Sequence, residues 1–410
     1  MPVFLYFILF FMTKGGKCVI IRIPAERYGQ LGGREREQGT MSQERKPLVT
    51  GIFTADPSAH VFGDRIYVYP SHDIPHYGND DDDGGEYQME DYHVLSMDGP
   101  DAPCRDNGCA LHMKDVPWVS KQMWAPDAAC KDGKYYLYFP ARDHEGIFRL
   151  GVAVSDDPAG PFEPEKEYIP GSCSIDPAVL ADDDGRYYIY YGGLWGGQLE
   201  MWQGGTFDPD AHRPEGDEPA LGPMFAELSD DMKHFKTEPK QLVILDENGE
   251  PLKAKDEERR YFEGPWMHKF GGKYYLSYST GTTHYLVYAV SDRPDGPFTY
   301  CGRIMEPVIG WTTHHSIVEY HGKWYLFYHD CELSGGINHR RCVKFTELKI
   351  REDGTIETIR PYEGQDPAPD YIGTGRSDYW RTGMTGKGNT AAERTALSVP
   401  QSFFHRGIVL

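Results

Sequence analysis

Three acidic residues each stand directly before a proline or a Gly-Pro pair, and this setting makes them candidates for acid–base chemistry. Asp56 lies in "FTADPSAHVF", Asp176 in "SIDPAVLADD" and Glu263 in "FEGPWMHKF". Proline restricts the residue before it to extended geometry, so we expect these carboxylates to have a fixed orientation. A single Asp-Pro pair is also a common turn opening, and taken alone each acid would be structural more often than not.

Carboxylates that meet in a low-dielectric funnel cannot all be ionised, so one of these acids is expected to keep its proton at neutral pH. Glu263, beside Trp266 and in the field of Asp176, is predicted to be that acid. A protonated acid and an ionised base are the pair that cleaves a glycosidic bond. The acid protonates the leaving oxygen, and the base takes a proton from water on the opposite face of the sugar.

A repeated phrase predicts the elements that would bring these residues together. A Gly, a polar residue and an alternating aromatic strand recur in five segments: "GDRIYVYPS" from Gly63, "GKYYLYFPA" from Gly133, "GRYYIYYGG" from Gly185, "GKYYLSYST" from Gly272 and "GKWYLFYHD" from Gly322. Each copy follows an apolar strand and a turn, which is the pattern of a β-hairpin. Repetition at intervals of roughly 50 to 90 residues indicates a radial array. The sequence therefore predicts an all-β fold, a five-bladed β-propeller with the acids in its central funnel.

The predicted propeller occupies residues 48–362 of the chain. Residues 1–40 are predicted to be an extension outside the fold, because "MPVFLYFILFFM" is too short to span a bilayer and lacks the basic start of a signal peptide. A lipoprotein or secretory leader is the alternative. Residues 363–410 are predicted to be an irregular tail. The acidic loop 78–87 is predicted to be a solvated surface loop rather than a calcium site, since it lacks EF-hand spacing.

The composition narrows the class of partner. The formal net charge of −21 disfavours nucleic acid and anionic lipid, whose binders usually carry a basic face. Many aromatic and acidic side chains suit a neutral carbohydrate, whose CH faces stack on rings and whose hydroxyls bond to carboxylates.

The spacing of the eight cysteines indicates that they are free thiols. None forms a Cys-X-X-Cys pair, so a disulfide framework and a zinc site are both disfavoured. A small disulfide loop between Cys104 and Cys109 is the alternative. Free thiols favour a reducing compartment, so we expect a cytoplasmic protein, with secretion or a periplasmic location as the alternative.

The motifs around the acids resemble those of glycoside hydrolase family 43, the five-bladed-propeller β-xylosidases, α-L-arabinofuranosidases and arabinanases. The resemblance covers residues 48–360. It implies that Asp56 is the general base, that Asp176 orients the acid and modulates its pKa, and that Glu263 is the general acid. Hydrolysis in this family inverts the anomeric centre.

Further positions carry over from the same resemblance. Trp124 in "MWAPD" would form a wall of the −1 subsite, and Arg341 in "NHRRCVKFTEL" would reach the sugar. His315 in "THHSIVEYHG" would face the axis and, as in many members, help to hold a central calcium through mostly water ligands. A buried histidine bonded within the blades is the alternative. In "SHD", His72 or Asp73 would line the pocket and touch hydroxyls.

The predicted function is that of an exo-acting, inverting glycoside hydrolase that releases terminal xylose or arabinofuranose from plant-wall oligosaccharides. An endo-arabinanase and a carbohydrate-binding propeller without catalysis are the alternatives. Retaining sucrose-type hydrolases are disfavoured, because their Asn-Asp-Pro-Asn-Gly motif is absent. Many β-xylosidases of the family carry a C-terminal β-sandwich, for which this chain leaves no length. The pocket rim is therefore expected from loops 74–92 and 196–225, or from a second subunit of a homo-oligomer.

Overall fold

The structure is a computed structural model, and the residues it describes are 6–12, 18–24, 44–76, 80–365 and 368–376. The strands β1 (Tyr6–Met12) and β2 (Cys18–Pro24) pair antiparallel with each other. They belong to a first unit, Met1–Ser42, and the strands that follow belong to a second unit, Gln43–Leu410. Among the described residues, no helix has the length and apolar character needed to cross a membrane.

The predicted domain boundaries stay predictions. The predicted extension, 1–40, falls in the first unit. Most of the predicted tail, 377–410, lies outside the described residues.

In the described part of the second unit, five β-sheets follow one another along the chain, and each is one blade. Blade one contains β3 (Phe53–Phe62), β4 (Arg65–Asp73), β5 (Asp91–Met97) and β6 (Arg105–His112). Blade two contains β7 (Asp127–Lys131), β8 (Lys134–Arg142), β9 (Phe148–Ser155) and β10 (Glu163–Pro164). Blade three contains β11 (Ala178–Ala181), β12 (Tyr187–Tyr191), β13 (Met224–Glu227) and β14 (Lys240–Gln241).

The last two blades depart from four strands. Blade four contains β15 (Ile244–Leu245), β16 (Glu263–Phe270), β17 (Lys273–Ser279), β18 (Leu286–Ser291) and β19 (Phe298–Met305). Blade five contains β20 (His315–Tyr320), β21 (Lys323–Asp330) and β22 (Cys342–Leu348). Short 3₁₀ helices lie in the loops at Met113–Asp115, Trp195–Gly197, Leu199–Trp202 and Glu332–Ser334.

The repeated phrases of the sequence form the hairpins that were predicted. Each phrase supplies the second strand of an antiparallel pair, namely β3–β4, β7–β8, β11–β12, β16–β17 and β20–β21. The all-β, five-bladed propeller is therefore confirmed.

Blade five is completed by the first residues of the propeller. The N–H of Arg45 donates to the carbonyl of Phe345 at 2.7 Å, and the N–H of Leu48 donates to the carbonyl of Val343 at 2.9 Å. These bonds run along the edge of β22 and join the beginning of the ring to its end. The contact covers a sheet edge that would otherwise present unpaired backbone groups.

The aromatic strands pack alternately against the two neighbouring blades. In β12, Tyr188 and Tyr190 share a buried cluster with Tyr278 of blade four, whereas Ile189 and Tyr191 share one with blade two. Successive strand residues point to opposite faces, so a strand covered on both sides is apolar throughout. One such cluster lies at each junction between blades in the described structure. Full burial of each large apolar side chain there stabilises the fold by roughly 1.5–3 kcal/mol.

Candidate active site

Backbone irregularities at the inner strands set the orientation of Asp56 and Asp176. The β3–β4 register shifts between Ala55 and Ser58, so a β-bulge contains Asp56. Asp56 has a φ of 49°, and Asp176, just ahead of β11, has a φ of 57°. The extended geometry expected before the two prolines is therefore wrong. Outside the regular ladder the backbone turns into the left-handed region, at a cost of about 1–3 kcal/mol per residue.

The three predicted acids line one cavity of about 260 Å³. Asp56 and Asp176 are buried, and Glu263 is partly exposed. Asp176 Oδ2 accepts a hydrogen bond of 2.9 Å from the N–H of Gly264, so Asp176 is tied to the residue that follows Glu263. The structure thus brings together side chains from blades one, three and four, while their catalytic roles stay predictions.

Asp56 is held as a carboxylate by the cations around it. Its Oδ1 accepts a hydrogen bond of 2.9 Å from Arg341 Nη1 and lies 3.5 Å from His314 Nδ1, and the Ser71 hydroxyl donates to its Oδ2. Burial by itself raises the pKa of Asp56, but Arg341 and His314 outweigh it and hold that pKa well below its usual range. Asp56 is therefore ionised at neutral pH, as a general base must be.

The backbone of Asp56 is held by a buried histidine. Its N–H donates to His329 Nδ1 at 3.0 Å, and His329 Nε2 lies 3.0 Å from Thr312 Oγ1. Burial lowers the pKa of His329 to about 4. The ring is therefore neutral with its proton on Nε2, which leaves Nδ1 able to accept the bond that fixes the bulge.

Glu263 has the opposite electrostatic environment. Burial raises its pKa to about 8, and the Asp176 carboxylate adds to that shift. Burial also raises the pKa of Asp176 to about 6, with His314 opposing the shift. Glu263 therefore keeps its proton at pH 7 while Asp56 is ionised, which is the division of roles that an acid–base pair needs.

His314 lies among the acids, although the sequence analysis selected the neighbouring His315. Burial lowers the pKa of His314, but its bond to Asp56 and the charge of Asp176 outweigh this and raise it. The position of His314 also explains why residue 264 is a glycine. Gly264 has a φ of 62°, and a Cβ there would lie 2.5 Å from His314 Cδ2. The His314 ring therefore packs directly on the backbone next to Glu263.

His315 does not line the pocket. It is the first residue of β20, and its Nε2 lies 2.6 Å from Ser277 Oγ in blade four. Neighbouring residues at the start of a strand point in opposite directions, so only one of the two adjacent histidines can face the acids. The position of His315 matches the alternative of a buried histidine bonded within the blades.

Two aromatic walls flank the acids. Trp124 lines the pocket as predicted for a subsite wall, and its Nε1 donates to the carbonyl of Tyr87 at 2.9 Å. A second wall consists of Trp195, Phe262 and Trp311, whose ring centroids are 5.1–6.0 Å apart. This wall was not predicted from the sequence, although Phe262 stands directly before Glu263.

The acidic loop contributes to the rim of the pocket. Within its described part, Asp80, Asp81, Asp82, Gly84, Glu86 and Tyr87 line the cavity. The solvated surface loop predicted for residues 78–87 is therefore wrong in part, because Glu86 is buried and Arg142 Nη2 holds Asp83 Oδ1 at 2.7 Å. The expected rim from residues 74–92 agrees with this placement. Of the other expected loop, Gly196 and Gly197 line the cavity.

Comparison with known proteins places this site in a family. The sequence model of the glycosyl hydrolases family 43 matches residues 104–356. A xylosidase/arabinosidase 43A of Humicola insolens is 60% identical and covers 77% of this chain and 99% of its own length. The chain belongs to glycosyl hydrolase family 43.

Solved structures of family 43 agree with this assignment. One is a β-xylosidase/α-arabinofuranosidase from a compost microbial metagenome, a calcium-free form in complex with xylotriose. It is 60% identical, covers 78% of this chain and 99% of its own, and has a TM-score of 0.77. A family 43 enzyme of Xanthomonas citri in complex with xylotriose is 54% identical, covers 79% of this chain and 96% of its own, and has a TM-score of 0.75.

In this family 43 pocket, Arg341 connects two buried aspartates. Its Nε and Nη2 donate to the Asp73 carboxylate at 2.9 and 2.8 Å, its Nη1 donates to Asp56, and it lines the pocket. Asp73 does not line the pocket but lies behind Arg341 and orients it. The predicted contact of Asp73 with sugar hydroxyls is therefore replaced by a contact with the guanidinium.

His72 lies outside the family 43 pocket. In β4, Ser71 and Asp73 face the acids, so the residue between them points to the other side of the sheet. There His72 Nδ1 lies 2.6 Å from Asp91 Oδ1. A role for His72 in touching the sugar does not fit this placement.

Replacing Arg341 by Met is expected to destabilise the propeller by roughly 3–5 kcal/mol at pH 7, because it leaves Asp56 and Asp73 buried without their cation. Urea unfolding measured at pH 7 checks this. The matched control is Arg186→Met, which breaks an exposed pair with Asp184 and is expected to lower the free energy of unfolding much less. Equal losses of unfolding free energy in the two variants would contradict a buried charge network of Arg341, Asp56 and Asp73.

Proposed function

We propose that the protein is an exo-acting, inverting glycosidase that releases terminal xylose or arabinofuranose from small plant-wall oligosaccharides. The observation that carries the proposal is the one pocket that Asp56, Asp176 and Glu263 line, with the pKa of Asp56 held below its usual range and the pKa of Glu263 raised to about 8. Relatives that cover the same propeller are named xylosidase/arabinosidase, and two solved relatives hold xylotriose.

The proposed reaction uses the two carboxyl groups in one step. Glu263 gives its proton to the glycosidic oxygen as the bond to the anomeric carbon breaks. Asp56 accepts a proton from a water molecule that attacks that carbon from the opposite face. Asp176 holds Glu263 in place through the Gly264 N–H and, by its negative charge, favours the protonated acid.

The walls of the pocket support cleavage at a chain end. The loop residues Asp80 and Glu86 and the aromatic residues Trp195 and Trp311 line the same cavity as the acids. A walled cavity of about 260 Å³ suits one terminal sugar better than the middle of a polymer. Aromatic faces beside it would stack on the next sugar. The second subunit considered for the rim stays a prediction.

A panel of aryl glycosides tests the proposal. Release of nitrophenol from β-xyloside and α-arabinofuranoside, and xylose release from xylotriose, are the expected results. Proton NMR of the first product formed from xylotriose is expected to show the α-anomer of xylose, since inversion at a β-linkage yields it. Binding of xylotriose without hydrolysis would support a carbohydrate-binding propeller, and a first-formed β-anomer would overturn inversion.

We also propose that His315 contributes one ligand to a calcium ion. Its Nδ1 is buried and has no hydrogen-bond partner in the described structure, so it is available for one bond. Calcium prefers six to eight oxygen ligands, so water would have to complete the shell. Calcium titration by calorimetry is expected to detect weak binding that His315→Ala abolishes. Equal binding by this variant would place calcium elsewhere.

The protein is further proposed to work in a reducing compartment. The seven cysteines of the second unit, from Cys104 to Cys342, are free thiols in the structure, including the pair Cys104 and Cys109. Cell fractionation of the native host with an antibody against the chain tests this location. Recovery from the medium or the periplasm would contradict it.

A further inference from the structure

A cluster of metal-ligating side chains lies on blade one, and none of its members lines the pocket. His72 Nδ1 is 2.6 Å from Asp91 Oδ1, and His93 Nε2 is 3.9 Å from Asp91 Oδ2. One donor atom from each of the three residues lies within 4.8 Å of the others. All three side chains are partly buried, so they are neither freely solvated nor sealed from solvent.

Pairing of three neighbouring strands produces this cluster. In the β4–β5 ladder Ser71 faces Tyr92, which places His72 beside Asp91 one step along. Asp91 and His93 are two residues apart in β5 and therefore share a face. The ladder between β5 and β6 pairs His93 with Cys109.

Cys109 supplies a fourth donor on the same face. It is a free and exposed cysteine. Because directly opposed residues of an antiparallel pair share a face, the Cys109 side chain lies beside that of His93.

We propose that His72, Asp91, His93 and Cys109 bind one transition-metal ion of the zinc type. Zinc takes four nitrogen, oxygen and sulfur ligands at about 2.0–2.3 Å, which separates neighbouring ligands by about 3.4 Å in a tetrahedron. The observed spacings of 2.6 and 3.9 Å lie on either side of this value, so small side-chain rotations bring the donors to the ion. Binding releases the thiol proton and any proton shared between His72 and Asp91 to the solvent.

A carboxylate behind the cluster strengthens the assignment. His93 Nδ1 lies 2.9 Å from Asp106 Oδ1, so His93 donates to Asp106 and turns its Nε2 toward Asp91. Metal-binding histidines commonly have such a carboxylate partner, which fixes the tautomer and raises the basicity of the ligand nitrogen. Two imidazoles and a thiolate select zinc, cobalt or nickel over calcium and magnesium, which prefer oxygen ligands.

The metal would link β4 and β5, the two strands that flank the loop lining the pocket. His72 is the last residue but one of β4, just before this loop, and Asp91 begins β5 just after it. On the other face of β4, Ser71 and Asp73 hold Asp56 and Arg341. An ion at this point therefore joins the two strands from which the rim and part of the acid–base site are built.

Zinc binding by the full, tag-free chain tests the proposal, with thiols kept reduced. Competition against a chelating dye is expected to show one zinc per chain. Asp106→Asn is expected to weaken binding by about 10–100-fold, and His93→Ala by more than that. The matched control is His234→Ala, which removes an exposed histidine 2.8 Å from Asp231 and is expected to bind as the parent does.

Cobalt provides a readout that depends on geometry. Cobalt-loaded parent is expected to show intense visible bands and a near-ultraviolet sulfur-to-metal band, and Cys109→Ser is expected to lose the second while keeping the first. Zinc is also expected to raise the melting temperature of the parent but not of His93→Ala. Less than one zinc per chain, or equal affinity in the parent and His93→Ala, would overturn the proposal.

Discussion

Replacing Glu263 by Gln is expected to lower kcat on xylotriose by about 10²–10⁴-fold, the usual contribution of general acid–base catalysis. Gln has the size of the acid but no proton to give to the leaving oxygen. An aryl xyloside with a good leaving group needs less protonation and is expected to lose much less activity. Comparison of kcat for the two substrates in both proteins measures this difference.

The pH profile of activity distinguishes Glu263 from Glu86, a second carboxyl group in the pocket whose pKa is raised. Activity of the parent is expected to fall as the pH rises through about 8, because Glu263 then loses the proton that it must donate. The control is Glu86→Gln, since burial raises the pKa of Glu86 to about 7 and this residue also lines the cavity. Glu86→Gln is expected to keep the alkaline limb, and Glu263→Gln is expected to lose it. The reverse pattern would assign the acid to Glu86.

Replacing Asp56 by Asn is expected to lower kcat by about 10²–10⁴-fold on xylotriose and on aryl xylosides alike. The amide oxygen can still accept from Arg341 while the amide NH2 donates to the Ser71 hydroxyl oxygen, so the pocket keeps its shape, but the amide cannot take the proton of the attacking water. Because water attack is required for every substrate, the loss does not depend on the leaving group. A set of aryl xylosides with leaving groups of different acidity measures that dependence.

The control for Asp56 is Asp64→Asn, in the turn that follows the same strand. Asp64 is exposed and pairs with His321 at 2.6 Å, so its loss is expected to leave kcat unchanged. Circular dichroism and melting temperature of both variants show whether the fold is intact. A loss in Asp56→Asn that shrinks with better leaving groups would make Asp56 an acid and contradict its role as base.

The five-bladed architecture and the three acids could be predicted from the sequence, because both depend on local patterns. The phrases from Gly63 to Gly322 show alternating aromatic strands after tight turns, and a strand between two blades must be apolar on both faces. The acids Asp56, Asp176 and Glu263 stand at matching places before these hairpins, so repetition alone predicted their meeting. Crowding of like charges also predicted that one of them, Glu263, keeps its proton at neutral pH.

Sequence reasoning failed where one residue of a neighbouring pair had to be chosen. It selected His315, whereas His314 lies among the acids, and it allowed His72 in the pocket, whereas His72 points to the opposite face. The choice depends on where a strand begins and where a bulge shifts its alternation, as at Asp56. Such shifts of one residue are decided by the pairing of whole strands and leave little trace in composition.

By itself, the sequence determined a ring of hairpins with carboxyl groups at their inner ends. The tertiary structure alone decided which charges surround each carboxyl, so that Arg341 and His314 keep Asp56 ionised, whereas burial and the charge of Asp176 keep Glu263 protonated. It also decided that His72 of β4 and Asp91 and His93 of β5, which form no sequence motif, bring donor atoms of metal-ligating types close together. The physical reason is that charge and ligation depend on distances of a few ångströms between strands, and chain order does not encode those distances.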